Sequence, residues 1–116
     1  GTVSDLATGL TWQQEDDNDL KTFVEAQNYC SNLELGSKSD WRVPQVKELA
    51  SIAEYRAFNP AIDEAMFPST DIYDEYWSVT TGIPNPDTVM WGVDFRYGYY
   101  VHWISKAATH YVRCVR

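Results

Sequence analysis

Apolar positions along the chain recur in two rhythms. From 89 to 95, Val89, Trp91, Val93 and Phe95 alternate with Met90, Gly92 and Asp94, a period of two that predicts a strand. Arg96-Tyr97-Gly98 then reads as a hairpin turn, and Tyr99 to Ile104 as the returning strand, aromatic on both faces. Earlier, Phe23, Ala26, Cys30 and Leu33 fall three or four apart, which predicts a helix over 22–33. Thr22 and Glu25 have capping-box spacing at its start, and Leu35-Gly36 is expected to end it. Val46, Leu49, Ile52 and Ala53 predict a second helix from Val46 to about Tyr55.

Shorter signals fill the rest. Val3 and Leu10-Thr11-Trp12 flank a turn at Gly9, giving strand, turn, strand. Trp41-Arg42-Val43 reads as a short buried strand stopped by Pro44, which suits a first helical position. The resulting corner, with Trp41 as anchor, is expected to organise the packing. Phe58 to Ile62 reads as an ordered turn or short helix, and 63–74 as irregular chain with Met66, Phe67 and Pro68 as plugs. Tyr76 to Thr80 is strand-like, 81–87 is a loop of turn formers, and Tyr111 to Val115 is the expected last strand, with Val112 and Cys114 on one face. A strand-rich start, two helices, an irregular middle and several antiparallel strands make an α+β fold. The length of 116 residues makes 1–116 one expected domain.

Charge narrows the partners. Seventeen acidic against nine basic residues leave a net charge of -8, which argues against nucleic acid and anionic membrane surfaces. No apolar run reaches the ~20 residues of a membrane span. No signal peptide is present, which leaves open that the chain is a mature fragment. The aromatic content of 15% exceeds what the core is expected to absorb, and exposed Tyr and Trp suit sugar- and protein-binding surfaces. Two cysteines, Cys30 and Cys114, rule out a four-thiolate metal site. They are either two separate buried thiols or a disulfide, worth ~4–5 kcal/mol in the loop-entropy model and implying an oxidising compartment.

Enzyme signatures are missing. There is no Gly-x-Ser-x-Gly, phosphate loop or His-x-x-x-His pair, and neither His102 nor His110 has an evident nucleophile beside it. The acidic run Gln13 to Asp19 is either a solvated loop favouring the next helix or a source of Ca²⁺ oxygens, though it lacks the EF-hand pattern. A binding surface is better supported. Tyr97, Tyr99, Tyr100, His102 and Trp103 gather around one hairpin, where rings can stack on the apolar faces of sugars. Tyr99 and Trp103 share one face of the returning strand, and Tyr100 and His102 the other.

Taken together, Val3-x-Asp5-x-x-Thr8-Gly9-Leu10-x-Trp12, Asn28-Tyr29-Cys30, Asp40-Trp41-Arg42-Val43-Pro44, Glu48-Leu49, Tyr76-Trp77-Ser78, Asp94-Phe95-x-x-Gly98 and Tyr111 to Arg116 resemble the bacterial Lcl C-terminal domain family over essentially the whole chain. The family takes its name from a collagen-like surface protein and is grouped with the C-type lectin-like superfamily, which also holds the formylglycine-generating enzymes. The resemblance implies a C-type lectin-like fold: two helices flanking antiparallel sheets, a long irregular ligand-carrying loop region, and a Cys30–Cys114 bridge from helix to last strand. It implies an extracellular or cell-surface module, sometimes an adhesin, recognising carbohydrate or a surface protein. It places ligand contacts at Asn85 and Asp87, and Ca²⁺ contacts at Asp71, Asp74 and Glu75, in the loops where C-type lectin-like domains carry ligands. The lectin Glu-Pro-Asn calcium motif has only a partial counterpart in Ile83-Pro84-Asn85, without the first carboxylate, and the Trp-Asn-Asp motif only a loose one in Trp91 to Asp94. Two alternatives stand beside this reading: an oligomerising end-domain of a surface protein, and an enzyme of the formylglycine-generating kind. Bridged cysteines would deprive the latter of its thiol.

Overall fold

The computed structural model describes residues 1–82 and 85–116, excluding the side chains of 101–103. The chain forms β1 (Thr2–Asp5), β2 (Leu10–Gln13), α1 (Phe23–Asn32), α2 (Val46–Ala50), β3 (Glu75–Thr81), β4 (Val89–Asp94) and β5 (Tyr100–Ser105). β1 and β2 pair as an antiparallel hairpin, and β3, β4 and β5 form a second antiparallel sheet in that order. The architecture is the α+β one expected.

The three-stranded sheet lies between two cores. Neighbouring residues of β3 point to opposite faces, so Tyr76 joins Trp12, Leu49, Val93 and Phe95 on one side. Trp77 joins Phe23, Trp41, Met90 and Ile104 on the other. On β4, Met90 and Val93 are three residues apart, so they point to opposite faces and feed different cores, with a register shift against β5 between Met90 and Gly92. Gly92 sits where the sheet is tightest: a Cβ there would lie 2.0 Å from Ile104 Cδ1 and 2.8 Å from the Tyr76 carbonyl.

α1 starts as expected. The Thr22 hydroxyl accepts from Glu25 N, and the Glu25 carboxylate accepts from Thr22 N. Phe23, Ala26 and Cys30 face the core. Cys30 is bridged to Cys114, with their Cα atoms 5.6 Å apart, which closes the alternative of two free thiols.

Several local expectations are corrected. α1 ends at Asn32, and Gly36 instead forms a two-residue turn with Ser37, closed by paired bonds between Leu35 and Lys38. Pro44 precedes the cap residue Gln45 rather than opening α2; its carbonyl accepts from Val79 N at 2.8 Å. α2 stops at Ala50, five residues earlier than its periodicity suggests. The chain tightens through Ile52 N to Leu49 O and Ala53 N to Ala50 O, and Ala53 is then pulled into a bridge with Ile62. Trp41 to Val43 contributes a single bridge, Arg42 to Val115. Met66 is exposed, leaving Phe67 as the buried plug of the irregular middle.

The C-terminal segment is not a regular strand. Its backbone divides among four neighbours: Lys21 with His110, Glu75 and Trp77 with Tyr111, Arg42 with Val115, and Thr11 with Arg116. β2 takes three of these bonds, two through Thr11 and one from Gln13 N to the Cys114 carbonyl, and each other neighbour takes two, so the segment ties both sheets together without joining either as one of its strands. Val112 and Cys114 lie in one core and Val115 in the other.

Candidate functional site

The β4–β5 turn presents the most concentrated exposed aromatic surface. Asp94 fixes it: its Oδ1 accepts from Arg96 N (2.7 Å) and Tyr97 N (3.0 Å), and its carbonyl accepts from Gly98 N (2.9 Å). Gly98 has φ +79°, which L-residues with side chains rarely adopt. The turn lifts Tyr97 and Tyr99 into a stacked pair, with centroids 5.6 Å apart and planes at 27°. The Arg96 guanidinium lies 5.3 Å from the Tyr97 ring centre and 5.8 Å from that of Tyr73, bridging the two by cation–π contact. Tyr73 is 81% exposed and Tyr99 64%. Beside them, Tyr100 packs edge-on against Trp91 and receives a 3.4 Å hydrogen bond from the Tyr55 hydroxyl. That bond, with burial, pushes Tyr55 up to about 12.

A groove of about 220 Å³ runs between Tyr73 and Tyr97, floored by Asp74, Glu75 and Asp94 with Arg96 at its side. Aromatic walls, acceptor carboxylates and one guanidinium are the groups that take the faces and hydroxyls of a sugar.

The loop carrying Tyr73 is held from beneath by a buried polar centre. The Asp71 carboxylate accepts from Tyr73 N at 2.8 Å, and Asp71 N donates to the Tyr76 hydroxyl at 2.9 Å. That hydroxyl donates to Asp16 Oδ2 at 2.6 Å. Arg113, with no solvent exposure, donates to the carbonyls of Gln13 (2.9 Å) and Gln14 and to Thr70 Oγ1 (2.8 Å), its guanidinium 5.0 Å from the Phe67 ring centre. Burial pushes Asp16 up and Arg113 down from their usual values. Asp16 Oδ1 and Arg113 Nε have no hydrogen-bond partner among the described residues.

Where Asp74 and Glu75 enter β3, they meet His110. Its Nδ1 contacts Asp74 Oδ1 and lies 3.4 Å from Glu75 Oε2. The imidazole is set by two backbone bonds between His110 and Lys21 and by the edge of Trp77, 4.9 Å away. Burial lowers the His110 pKa, but the hydrogen bonds and charges of Glu75 and Asp74 outweigh it and leave it raised. Glu75 is held down to about 2, chiefly by His110. Burial and the shared contact with Glu75 push Asp74 up.

The expected Ca²⁺ contacts therefore divide. Asp74 and Glu75 converge with His110, while the Asp71 carboxylate is engaged by Tyr73 N and by Tyr111. Two carboxylates and an imidazole do not fit the six to eight oxygens that Ca²⁺ prefers. Among the expected ligand contacts, Tyr97, Tyr99 and Tyr100 come together. Asn85 and Asp87 lie in the turn before Val89, at the other end of β4, roughly 17 Å of strand away. The side chains of His102 and Trp103 are outside the described residues.

Tyr73, Arg96, Tyr55 and His110 were not singled out by sequence reasoning as contacts of this surface. Arg96 alone had a local signal, its place in the predicted turn. A larger cleft of about 560 Å³ lies between α1 and the Trp41 corner, lined by Gln27, Asn28, Ser31, Arg42 and Gln45. Among its described lining residues the one ring, Trp41, is buried with its indole N–H donated to Leu35 and Lys38 carbonyls, so it offers no stacking face.

Comparison with curated proteins gives no match. The sequence model of one family, the Lcl C-terminal domain, matches residues 1–116. The match spans both hairpins, α1 with its bridged Cys30, and the C-terminal segment that closes the fold: the chain belongs to the Lcl C-terminal domain family.

Proposed function

We propose that this domain is an extracellular carbohydrate-binding module of a bacterial surface or secreted protein, built on a C-type lectin-like fold and binding without Ca²⁺. The observation that carries the reading is the exposed Tyr73–Arg96–Tyr97–Tyr99 array opening onto a carboxylate-floored groove. Four such groups in mutual contact on a surface of net charge -8 favour a neutral or cationic glycan over a polyanionic one. The disulfide from α1 to the C-terminal segment suits an oxidising compartment. No described helix is long and apolar enough to cross a membrane. The test is a glycan array probed with the wild type and with Tyr97→Ala. Neutral glycans retained in EDTA by the wild type and lost by the variant support the reading; no glycan signal in either buffer overturns it.

A protein partner is a second reading of the same face. Phe58, 73% exposed and without a hydroxyl to hydrate it, lies beside the hairpin, since Asn59 N donates to the Arg96 carbonyl at 2.6 Å. Sedimentation separates the two: self-association abolished by Phe58→Ser supports an oligomerising face, and a monomer that binds glycan supports the first reading. Both cysteines are bridged, so neither offers the free thiol that the enzyme alternative would use.

A further inference from the structure

Asp74, Glu75 and His110 bring three metal-ligating atoms within 4.8 Å of one another, from a loop end, a strand start and the C-terminal segment. With a neutral imidazole the cluster carries two negative charges at a half-buried position, which a divalent cation would balance. The donor set discriminates between ions. One nitrogen and two carboxylate oxygens suit Zn²⁺ and its neighbours, which take imidazole readily, and not Ca²⁺.

The geometry is close to what such an ion requires. Ligand bonds of ~2.1 Å in a tetrahedron put neighbouring donor atoms roughly 3.4 Å apart. His110 Nδ1 and Glu75 Oε2 are already 3.4 Å apart. Only Asp74, now in hydrogen-bond contact with the same nitrogen, has to move outward, and its carboxylate is partly exposed. The imidazole is pre-oriented by the His110–Lys21 backbone pair and by Trp77. Asp74 and Glu75 also line the groove below Tyr73, so a fourth coordination position would face that groove.

We propose that Asp74, Glu75 and His110 form a site for a divalent transition-metal ion of the zinc class, with one position open to water or to a ligand in the groove. The proposal is independent of the carbohydrate reading, because its test uses metal alone.

The test is titration of the EDTA-stripped, disulfide-intact protein with Zn²⁺, Co²⁺ and Ca²⁺. One equivalent of Zn²⁺ is expected to bind and raise the melting temperature, Co²⁺ to develop the visible bands of a low-coordinate site, and Ca²⁺ to do neither. Asp74→Asn and Glu75→Gln keep the side-chain shape and are each expected to weaken Zn²⁺ binding by roughly ten-fold or more. His110→Gln is expected to abolish the Co²⁺ bands, with circular dichroism reporting that the fold persists. Absence of Zn²⁺ binding to the wild type would overturn the proposal. So would binding unchanged in the two carboxylate variants or removed by His102→Gln instead.

Discussion

Arg113→Met should destabilise the domain more than any exposed charge change. The guanidinium is fully buried and donates to two carbonyls and one hydroxyl drawn from β2, the following loop and Thr70. Methionine fills similar volume but leaves those acceptors without a donor and removes the positive charge nearest the buried Asp16. Hydrogen bonds from a charged donor are worth ~1.5–3 kcal/mol each, but they share one side chain and do not add. Three buried acceptors left without their donor, at ~1–3 kcal/mol each and less than additive, give an expected loss of ~3–5 kcal/mol. Against a typical total of ~5–15 kcal/mol, it is a large fraction. At roughly 3–6 °C per kcal/mol for a domain of this size, the melting temperature should fall by ~10–25 °C. Equilibrium urea unfolding gives the free energy directly. Arg113→Lys should recover only part of the loss, because an ammonium cannot match the guanidinium fork. Arg116→Met, which breaks the solvent-facing pair with Asp40 (2.5 Å), should not move the midpoint measurably. A loss below ~1 kcal/mol for Arg113→Met, or full rescue by lysine, would refute the argument that this centre supports the Tyr73 loop.

Three further outcomes follow from the same structure. Replacing both Cys30 and Cys114 by serine opens a closure of 84 residues and should cost ~4–5 kcal/mol, read by urea unfolding; a change under ~1 kcal/mol would contradict it. Gly92→Ala pushes a methyl into Ile104 and the Tyr76 carbonyl and should cost ~1–3 kcal/mol in the same assay, with Gly92→Ala/Ile104→Val partly restoring stability. His110 has a pKa raised in the folded state, so its contribution to stability is complete below its unfolded value of 6.5 and is lost as pH rises through the folded value. In EDTA, the wild type should therefore lose stability with rising pH above 6.5 relative to His110→Gln; parallel pH curves for the two would count against the Asp74–Glu75–His110 contact.

Local signals were read from the sequence well where a single element satisfies itself. Thr22 and Glu25 mark the start of α1 because their reciprocal bonds are local, and Phe23, Ala26 and Cys30 mark its buried face. The β4–β5 hairpin was legible from its alternation and from Gly98. α2 was overextended because Ile52 and Ala53 keep helical spacing while a tertiary contact, Ala53 with Ile62, takes the backbone elsewhere. The C-terminal segment looked like a strand because its residues suit one, but it shares its bonds among four separate partners. Arg113 gave no warning of burial, since its acceptors lie up to 100 positions away. His110 met Asp74 across 36 positions, through the parallel bridge between Tyr76 and Tyr111. The Tyr97–Tyr99 surface was visible as composition, but Tyr73 joined it only through Arg96. Asn85 and Asp87, expected as ligand contacts from their place in a loop, are separated from it by β4.

The central claim is that ligand binds at the Tyr73–Tyr97 end of the three-stranded sheet. The most direct test is calorimetric titration of the strongest glycan from the array into wild type, Tyr73→Ala, Tyr97→Ala and Asp87→Ala. The account predicts at least a ten-fold loss of affinity, about 1.4 kcal/mol, for each tyrosine variant and a change within about two-fold for Asp87→Ala. Unchanged binding in both tyrosine variants, with loss at Asp87→Ala, would place the site at the opposite end of the sheet and contradict it.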